Sequence, residues 1–245
     1  MTSASAARSP APYDAPPAGH GDTLVIVPMY NEGAVIAETV ADLRSEFVHV
    51  LCIDDGSNDD SARLAGDAGA TVVRHPTNLG QGAALQTGFA YALRTGPRYV
   101  VTFDADGQHL VSDAVRMLDL ARRGDADVVL GSRFQAPART VPLPRRWLLR
   151  AGVLFTRVTT RLDLTDTHNG LRVLTAPALR VMDLRLHGMA HASEILGTIA
   201  RHRLRYVEVP MTVVYSDYSR AKGQSGVNAV NILVDLVLAR ARYAR

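Results

Sequence analysis

An α/β fold is what this 245-residue chain predicts: a mainly parallel sheet with helices on both faces, followed by amphipathic helices. Three observations carry that reading. Short apolar runs alternate with stretches of helical pattern from Thr23 onward, the arrangement that builds βαβ units. Successive apolar runs end in carboxylates or lead into glycine-rich turns, at the edge where such sheets bind ligands. Apolar residues make up 47% of the chain, enough to bury the core of one domain, which excludes wholesale disorder.

The elements follow in order. Residues 1–22 are rich in Ala, Pro, Ser and Gly, lack the apolar segment of a secretory signal, and read as a disordered tail. LVIVP (24–28) opens the sheet, and a helical stretch runs from about Gly33 to Arg44. FVHVLCID (47–54) is the second strand, and DDSARLAGDAG holds the next helix, with Asn58 or Asp59 able to cap it. TVVRH makes the third strand and GAALQTGFAYALRTG the third helix, stopped by Gly96-Pro97. YVVTFD (99–104) is the fourth strand, Ser112 caps a helix over residues 113–123, and DVVLGS (127–132) is the fifth strand. After Ser132 the regularity loosens. The single cysteine, Cys52, excludes an internal disulfide and a thiolate zinc site.

In open α/β sheets, ligands bind beyond the carboxyl ends of the strands. Four junctions there hold the informative residues: Pro28-Met29-Tyr30-Asn31-Glu32, Asp54-Asp55-Gly56-Ser57, Asn78-Leu79-Gly80-Gln81-Gly82 and Asp104-Ala105-Asp106-Gly107-Gln108-His109. Alternation along an extended chain turns Asp104 and Asp106 to the same side. There they can hold one hard cation, Mg²⁺ or Mn²⁺, together with ligand phosphates; the plain alternative is a solvated turn. Asp54-Asp55 can hydrogen-bond a ribose or base, or cap a helix. The glycines of the third junction let backbone N–H groups approach a ligand at a helix start. That loop is neither a Walker A sequence nor a dinucleotide fingerprint.

VIVPMYNE, IDDGSNDD, NLGQGAALQTG, FDADGQH and GSRF, in this order, resemble family 2 glycosyltransferases of the GT-A, Rossmann-like fold, over essentially residues 23–245. The resemblance implies a nucleotide diphosphate sugar donor (UDP, GDP or dTDP) held by Pro28, Tyr30, Glu32 and Asp55, with Asp54, Gly80, Gln81, Asp104, Ala105 and Asp106 beside them. It implies a metal at Asp104 and Asp106, with Gln108 as a further ligand. Gln81 departs from the lysine that many relatives carry in this loop, which removes a positive charge there. TDTHNGLR (165–172) and YSRAKGQS (218–225) resemble segments of the polyprenyl-phosphate, dolichyl-phosphate-mannose-synthase-like branch. That likeness, with the GSR motif, implies phosphate contacts from Arg133, Arg172 and Arg220; Arg146, Arg150 and Lys222 are further candidates on the acceptor side. Arginine suits the role because its planar fork binds phosphate oxygens in pairs. Gly226 stands where relatives often have lysine, and the transmembrane helices that end many of them have no counterpart.

Charge is divided along the chain. Residues 1–137 carry 17 acids against 10 arginines, and residues 138–245 carry 17 bases against 7 acids, beneath a net charge of +3. This suggests a donor and metal part over residues 23–135 and an acceptor part over residues 136–245. On a helical wheel Arg146, Arg150, Arg157 and Arg161 share a stripe about 60° wide, with Trp147 near the boundary of the apolar face. Such a helix fits a membrane interface or a solvated surface helix. VNAVNILVDLVLARARYAR is apolar except for Asn228, Asn231, Asp235 and Arg242. It must bury its wide face in the core, in a membrane-anchored partner protein or at the bilayer surface. No stretch reaches the roughly 20 apolar residues that cross a bilayer, so the expected location is cytoplasmic, peripheral at the inner face of the cell membrane.

The expected activity is inverting, metal-dependent transfer of a sugar to a polyprenyl phosphate, with Asp106 and Arg133 at the reacting centre. A hydroxyl acceptor on a glycan would instead require a general base, for which Asp166 and Glu194, then His168 and His191, are candidates. Nucleic acid is not an expected partner, since no recognised module is present and aromatic residues are only 6% of the chain. A dinucleotide oxidoreductase is disfavoured because the first strand ends in PMYNEG rather than G-x-G-x-x-G.

Overall fold

Strands form where β-branched and apolar residues run together, and each is flanked by a helix whose apolar stripe covers it. The computed structural model describes residues 20–133, 162–167, 169–186, 188 and 190–214. Its strands are β1 (Thr23–Met29), β2 (His49–Asp54), β3 (Thr71–Arg74), β4 (Tyr99–Thr102), β5 (Val128–Ser132), β6 (Arg172–Thr175) and β7 (Tyr206–Pro210). The helices are α1 (Ile36–Glu46), α2 (Ser61–Asp67), α3 (Gln81–Thr95), α4 (Val111–Arg122), α5 (Ala176–Leu179) and α6 (His191–Arg201).

The strands make one sheet in the order β3-β2-β1-β4-β6-β5-β7. Pairing is parallel throughout except around β6, which runs antiparallel to both β4 and β5. Alternate strand residues divide the core into two layers. Val25, Val27, Cys52, Val101 and Val173 face α1, α2 and α4, while Leu24, Ile26, Leu51, Val100 and Leu174 face α3, α5 and α6. The expected sheet with helices on both faces is therefore present.

Pro28 decides where β4 leaves the sheet. The Ile26 carbonyl accepts the Phe103 N–H at 3.0 Å. The next donor that β1 could turn toward β4 is residue 28, and proline has none. Pairing of β1 with β4 ends at Ile26 and Thr102, whereas pairing with β2 continues to Met29 and Asp54. The chain after β4 is thus released as it reaches Asp104.

Several boundaries differ from expectation. The first helix begins at Ile36 rather than Gly33, because residues 31–33 are drawn into hydrogen bonds with the next loop. Phe47 ends α1 instead of opening β2, and its buried ring packs in the core. Ser112 does not cap α4, because the helix starts one turn-position earlier: the Leu110 carbonyl already accepts from Asp113 and Ala114. Gly96 stops α3 as expected, in the left-handed conformation. Strands β6 and β7 had no counterpart among the expected elements. Residues 20–22 are pinned by His20 N–H to the Glu46 carbonyl at 3.0 Å and by Arg122 to Asp22 at 2.5 Å. The remainder of the tail, the Arg-striped helix and the C-terminal apolar helix lie outside the described residues.

Candidate active site

The first two strand ends are stitched to each other. Asn31 takes a left-handed backbone, φ 54°, which asparagine tolerates better than most residues. Its N–H donates to Ser57 Oγ at 2.9 Å, and its Oδ1 accepts the Asn58 N–H at 2.9 Å. Glu32 N–H donates to Ser61 Oγ at 2.8 Å, and Gly33 N–H to Asp59 Oδ2 at 2.9 Å. Asp59 also accepts the Ser61 N–H at 3.0 Å, but the N-cap of α2 is Asp60, which makes no side-chain cap hydrogen bond, rather than the expected Asn58 or Asp59. Tyr30 remains 38% exposed beside Glu32, at the ligand edge of the sheet, while Pro28 is buried within β1.

The pair Asp54-Asp55 is buried against neighbouring loops. Asp54 is fully buried, with one oxygen accepting the Ser57 N–H at 3.0 Å and the other 3.0 Å from Arg74 Nε. Asp55 accepts from Leu79 N–H at 2.9 Å and Gly80 N–H at 2.7 Å, and lies 2.8 Å from His75 Nδ1. Asp55 holds the following loop with both oxygens hydrogen-bonded, whereas Asp54 Oδ2 is buried with the Arg74 ion pair but no hydrogen bond among the described residues.

Asp55 thereby shapes the third junction. Gly80 has φ 95°, a left-handed conformation that an L side chain rarely adopts. The helix α3 then opens with Gln81, whose Nε2 donates to Asp104 Oδ1 at 3.2 Å. Asp104 is held on its other oxygen by His109 Nε2 at 2.9 Å. Gly170 lies so close that an added Cβ would collide with the Asp104 carboxylate. Burial alone would raise the Asp104 carboxyl. The hydrogen bond from His109 and the positive charge of His109, Arg172 and His191 outweigh it and hold the group below its ordinary value.

Asp106 is in the opposite condition. Burial and the neighbouring Asp104 charge push its carboxyl upward, with Glu32 adding to the repulsion. The Gln108 N–H donates to Asp106 Oδ1 at 3.1 Å, and the described hydrogen bonds of Gln108 are through its backbone. Ala105, between the two acids, turns into the core, as alternation predicts. Among the described residues no three acidic, His or Cys side chains converge on one point. Asp104 and Asp106 are thus a two-carboxylate set, which fits a hard divalent cation that takes its remaining ligands from water and phosphate. A cation there would relieve the repulsion that raises Asp106.

Beyond this acidic cluster lies a basic one. Arg133 forks onto Asp166, with Nε 2.7 Å from Oδ2 and NH2 2.9 Å from Oδ1. Asp166 is itself oriented by Glu208, whose carboxylate accepts the N–H groups of Thr165 and Asp166 and the Thr165 hydroxyl at 2.8–3.0 Å. Between the two clusters stands Arg172, 3% exposed, with NH1 buried and without a hydrogen-bond partner among the described residues. Burial pushes its guanidinium down to about 10, against the pull of Asp104 and Asp166, so it remains a cation at neutral pH. Charge interactions connect Glu32 with Asp106, Asp106 with Asp104, Asp104 with Arg172, and Arg172 with the Asp166–Arg133 pair.

Of the other candidate residues, Glu194 accepts the N–H groups of Arg185 and Leu186 at 2.9 and 3.0 Å, and His191 Nδ1 is 2.9 Å from the Gly188 carbonyl. Arg146, Arg150, Arg220, Lys222 and His168 lie outside the described residues. His75, His109, Gly170 and Glu208 were not singled out as site residues. His109 carries a signal within the strand-end run FDADGQH; the other three become visible only through contacts with segments distant in sequence.

The model of the family described as "Glycosyl transferase family 2" matches residues 24–181. The chain belongs to glycosyltransferase family 2. It is 33% identical over 216 residues to an undecaprenyl-phosphate mannosyltransferase of Micrococcus luteus, covering 83% of this chain and 88% of that one. It is 32% identical over 220 residues to polyprenol monophosphomannose synthase of Mycolicibacterium smegmatis, covering 84% and 82%. Among solved structures, glucosyl-3-phosphoglycerate synthase of Mycobacterium tuberculosis, in complex with Mn²⁺ and UDP, matches with a TM-score of 0.66 at 18% identity, covering 88% of this chain and 78% of that one. The fold is GT-A, and the family 2 domain makes the protein a glycosyltransferase of the hexosyl or N-acetylhexosaminyl class. Among the described residues no helix is long and apolar enough to cross a membrane.

Proposed function

We propose that this glycosyltransferase moves a sugar from a nucleotide diphosphate donor to a polyprenyl phosphate, with inversion at the anomeric carbon. Residues 23–135 supply the donor and metal side, and residues 136–245 the acceptor side. The observation that carries the choice of acceptor concerns the candidate bases. Asp166 is committed to a two-pronged pair with Arg133, and Glu194 to the backbone of residues 185 and 186. A carboxylate paired with arginine is a weakened base. A phosphate acceptor is already anionic at neutral pH and requires positioning rather than proton removal. The names of the two bacterial relatives above, both polyprenyl-linked, point the same way.

In this reading a phosphate oxygen of the acceptor forms the new bond to the anomeric carbon as the bond to the departing diphosphate breaks. Asp104 and Asp106 hold Mg²⁺ or Mn²⁺, which supplies Lewis-acid neutralisation of the leaving diphosphate. Gln81 and His109 keep Asp104 oriented. Tyr30 and Glu32 border the nucleotide, and Arg172, buried between the acids and Arg133, adds positive charge where two phosphorylated substrates meet. The protein works at the inner face of the cell membrane as a peripheral enzyme.

The test is a donor panel of UDP-, GDP- and dTDP-sugars with Mg²⁺ or Mn²⁺ and a short polyprenyl phosphate, with products identified by mass spectrometry. A glycosylated lipid phosphate is the expected product. Product on a saccharide hydroxyl, with none on lipid phosphate, would overturn the acceptor assignment. Sedimentation with anionic liposomes is expected, and its absence would overturn the peripheral location.

A further inference from the structure

We propose that His75 is a positioning residue for the donor side: it aligns Asp55, which holds the loop carrying Gln81 against Asp104. The inference rests on reading this edge as a nucleotide-sugar site.

His75 follows β3, and its N–H donates to the Asp54 carbonyl at 2.8 Å. The ring is 8% exposed and engaged at both nitrogens, with Nδ1 2.8 Å from Asp55 Oδ1 and Nε2 2.9 Å from Thr87 Oγ1 on α3. A carboxylate only accepts, so the proton between His75 and Asp55 sits on Nδ1. Asp55 thus gathers three donors: His75 from below, and the Leu79 and Gly80 N–H groups at 2.9 and 2.7 Å from the loop. The loop has little room to shift in compensation. Gly82, two residues on, lies so close to the Leu186 carbonyl and His191 Cβ that an added Cβ would collide with them. Gln81, between the two glycines, then reaches Asp104 Oδ1 at 3.2 Å. A continuous run of hydrogen bonds and one short loop therefore connects Thr87, inside α3, to the metal-binding carboxylate. Without the Nδ1 donor, Asp55 loses the contact that fixes its rotation, and the two loop amides lose a well-aligned acceptor.

The two amide side chains separate this role from simple packing. Asn at position 75 places its N–H₂ near the site of Nδ1 and still addresses Asp55, whereas Gln reaches toward Nε2 and addresses Thr87. Calorimetric titration with UDP, GDP and dTDP in the presence of Mg²⁺ should find His75→Asn within about threefold of wild type. His75→Gln should bind about tenfold or more weakly, the scale of one lost buried hydrogen bond. Equal weakening in both variants, or none in either, would overturn the proposal. Amide hydrogen exchange gives a second readout: Leu79 and Gly80 should lose protection in His75→Gln while β2 keeps its own, and unchanged protection at both amides would overturn it. Should His75→Gln not fold, Thr87→Val preserves the volume and removes the Nε2 partner. Because that variant keeps the Nδ1 contact with Asp55, exchange at Leu79 and Gly80 should stay near wild type, as in His75→Asn, and clearly faster exchange would overturn the proposal. If wild type binds none of the three nucleotides, the donor reading is what fails, and exchange at Leu79 and Gly80 still decides the role of His75.

Discussion

The parallel half of the sheet, β3-β2-β1-β4, and the mixed remainder, β6-β5-β7, deliver opposite charges to one edge by different routes. The parallel half presents Glu32 and, beyond β4, Asp104 and Asp106 from strand ends, as crossover connections require. The mixed half presents Arg133 from the end of β5 but Arg172 from the beginning of β6. Because β6 runs antiparallel, its first residue pairs with Thr102, the last of β4, and the Gly170 backbone meets the Asp104 carboxylate. One reversed strand is what brings a buried arginine beside the acidic pair. The strand-end rule is thus sufficient for the parallel half and incomplete for the mixed one.

The largest expected effect breaks the acidic side. Asp106→Asn or Asp104→Asn should lower metal-dependent turnover by roughly 10³-fold, the scale of losing several kcal/mol of charge stabilisation. Steady-state rates at saturating Mg²⁺ or Mn²⁺ check this, and undiminished activity in either variant would remove that carboxylate from the metal assignment.

The contact between the halves comes next. Gly170→Ala inserts a methyl group into the Asp104 carboxylate, and overpacking of this kind costs about 1–3 kcal/mol. A lower Tm is expected together with a loss of activity about as large as that of Asp104→Asn, since the carboxylate must move. Wild-type activity in Gly170→Ala would show that the close approach of β6 does not matter to the site.

A smaller effect tests the basic side alone. Arg133→Lys keeps the charge but loses the fork that grips Asp166. About a tenfold fall in kcat/KM for lipid phosphate is expected, of the order of one charged hydrogen bond, with the donor KM unchanged. An equal effect on donor and acceptor would mean that the halves are not divided by substrate.

Legibility in the sequence followed the same division. Strands β1 to β4 and their helices were readable because apolar period and strand-end chemistry are local signals. Strands β6 and β7 were not, because four- and five-residue strands after an irregular stretch carry little periodicity of their own. Site residues divided likewise. Spacing alone marks Asp104 and Asp106 as a candidate pair, whereas it does not show that Asp54 and Asp55 make contacts to the protein's own loops. Their partners, Arg74, His75, Leu79 and Gly80, lie 20 to 25 positions away for Asp55, and no local pattern encodes those contacts.

The smallest prediction sharpens the asymmetry within the acidic pair. In the metal-free protein the Asp106 carboxyl is raised by burial and by Asp104, whereas Asp104 is held below its ordinary value by His109 and neighbouring cations. A raised folded-state value means that the native state binds this proton more tightly than the unfolded chain. The stability it contributes is therefore complete below the unfolded carboxylate range, about pH 4, and is lost as pH rises through the folded value. At neutral pH an ionised Asp106 burdens the metal-free fold. Asp106→Asn should then raise the Tm without metal at pH 7, with the gain shrinking as pH falls toward 4, even as turnover is lost. Asp104→Asn should do the reverse, because it discards a carboxylate whose partners favour its charge, so its Tm should fall at pH 7 and approach wild type in acid. Thermal melts of the three proteins across that pH range, with metal chelated, would separate the two acids. Identical Tm shifts in both variants would sink the claim that one carboxylate is braced by the protein while the other is left to repel its neighbour.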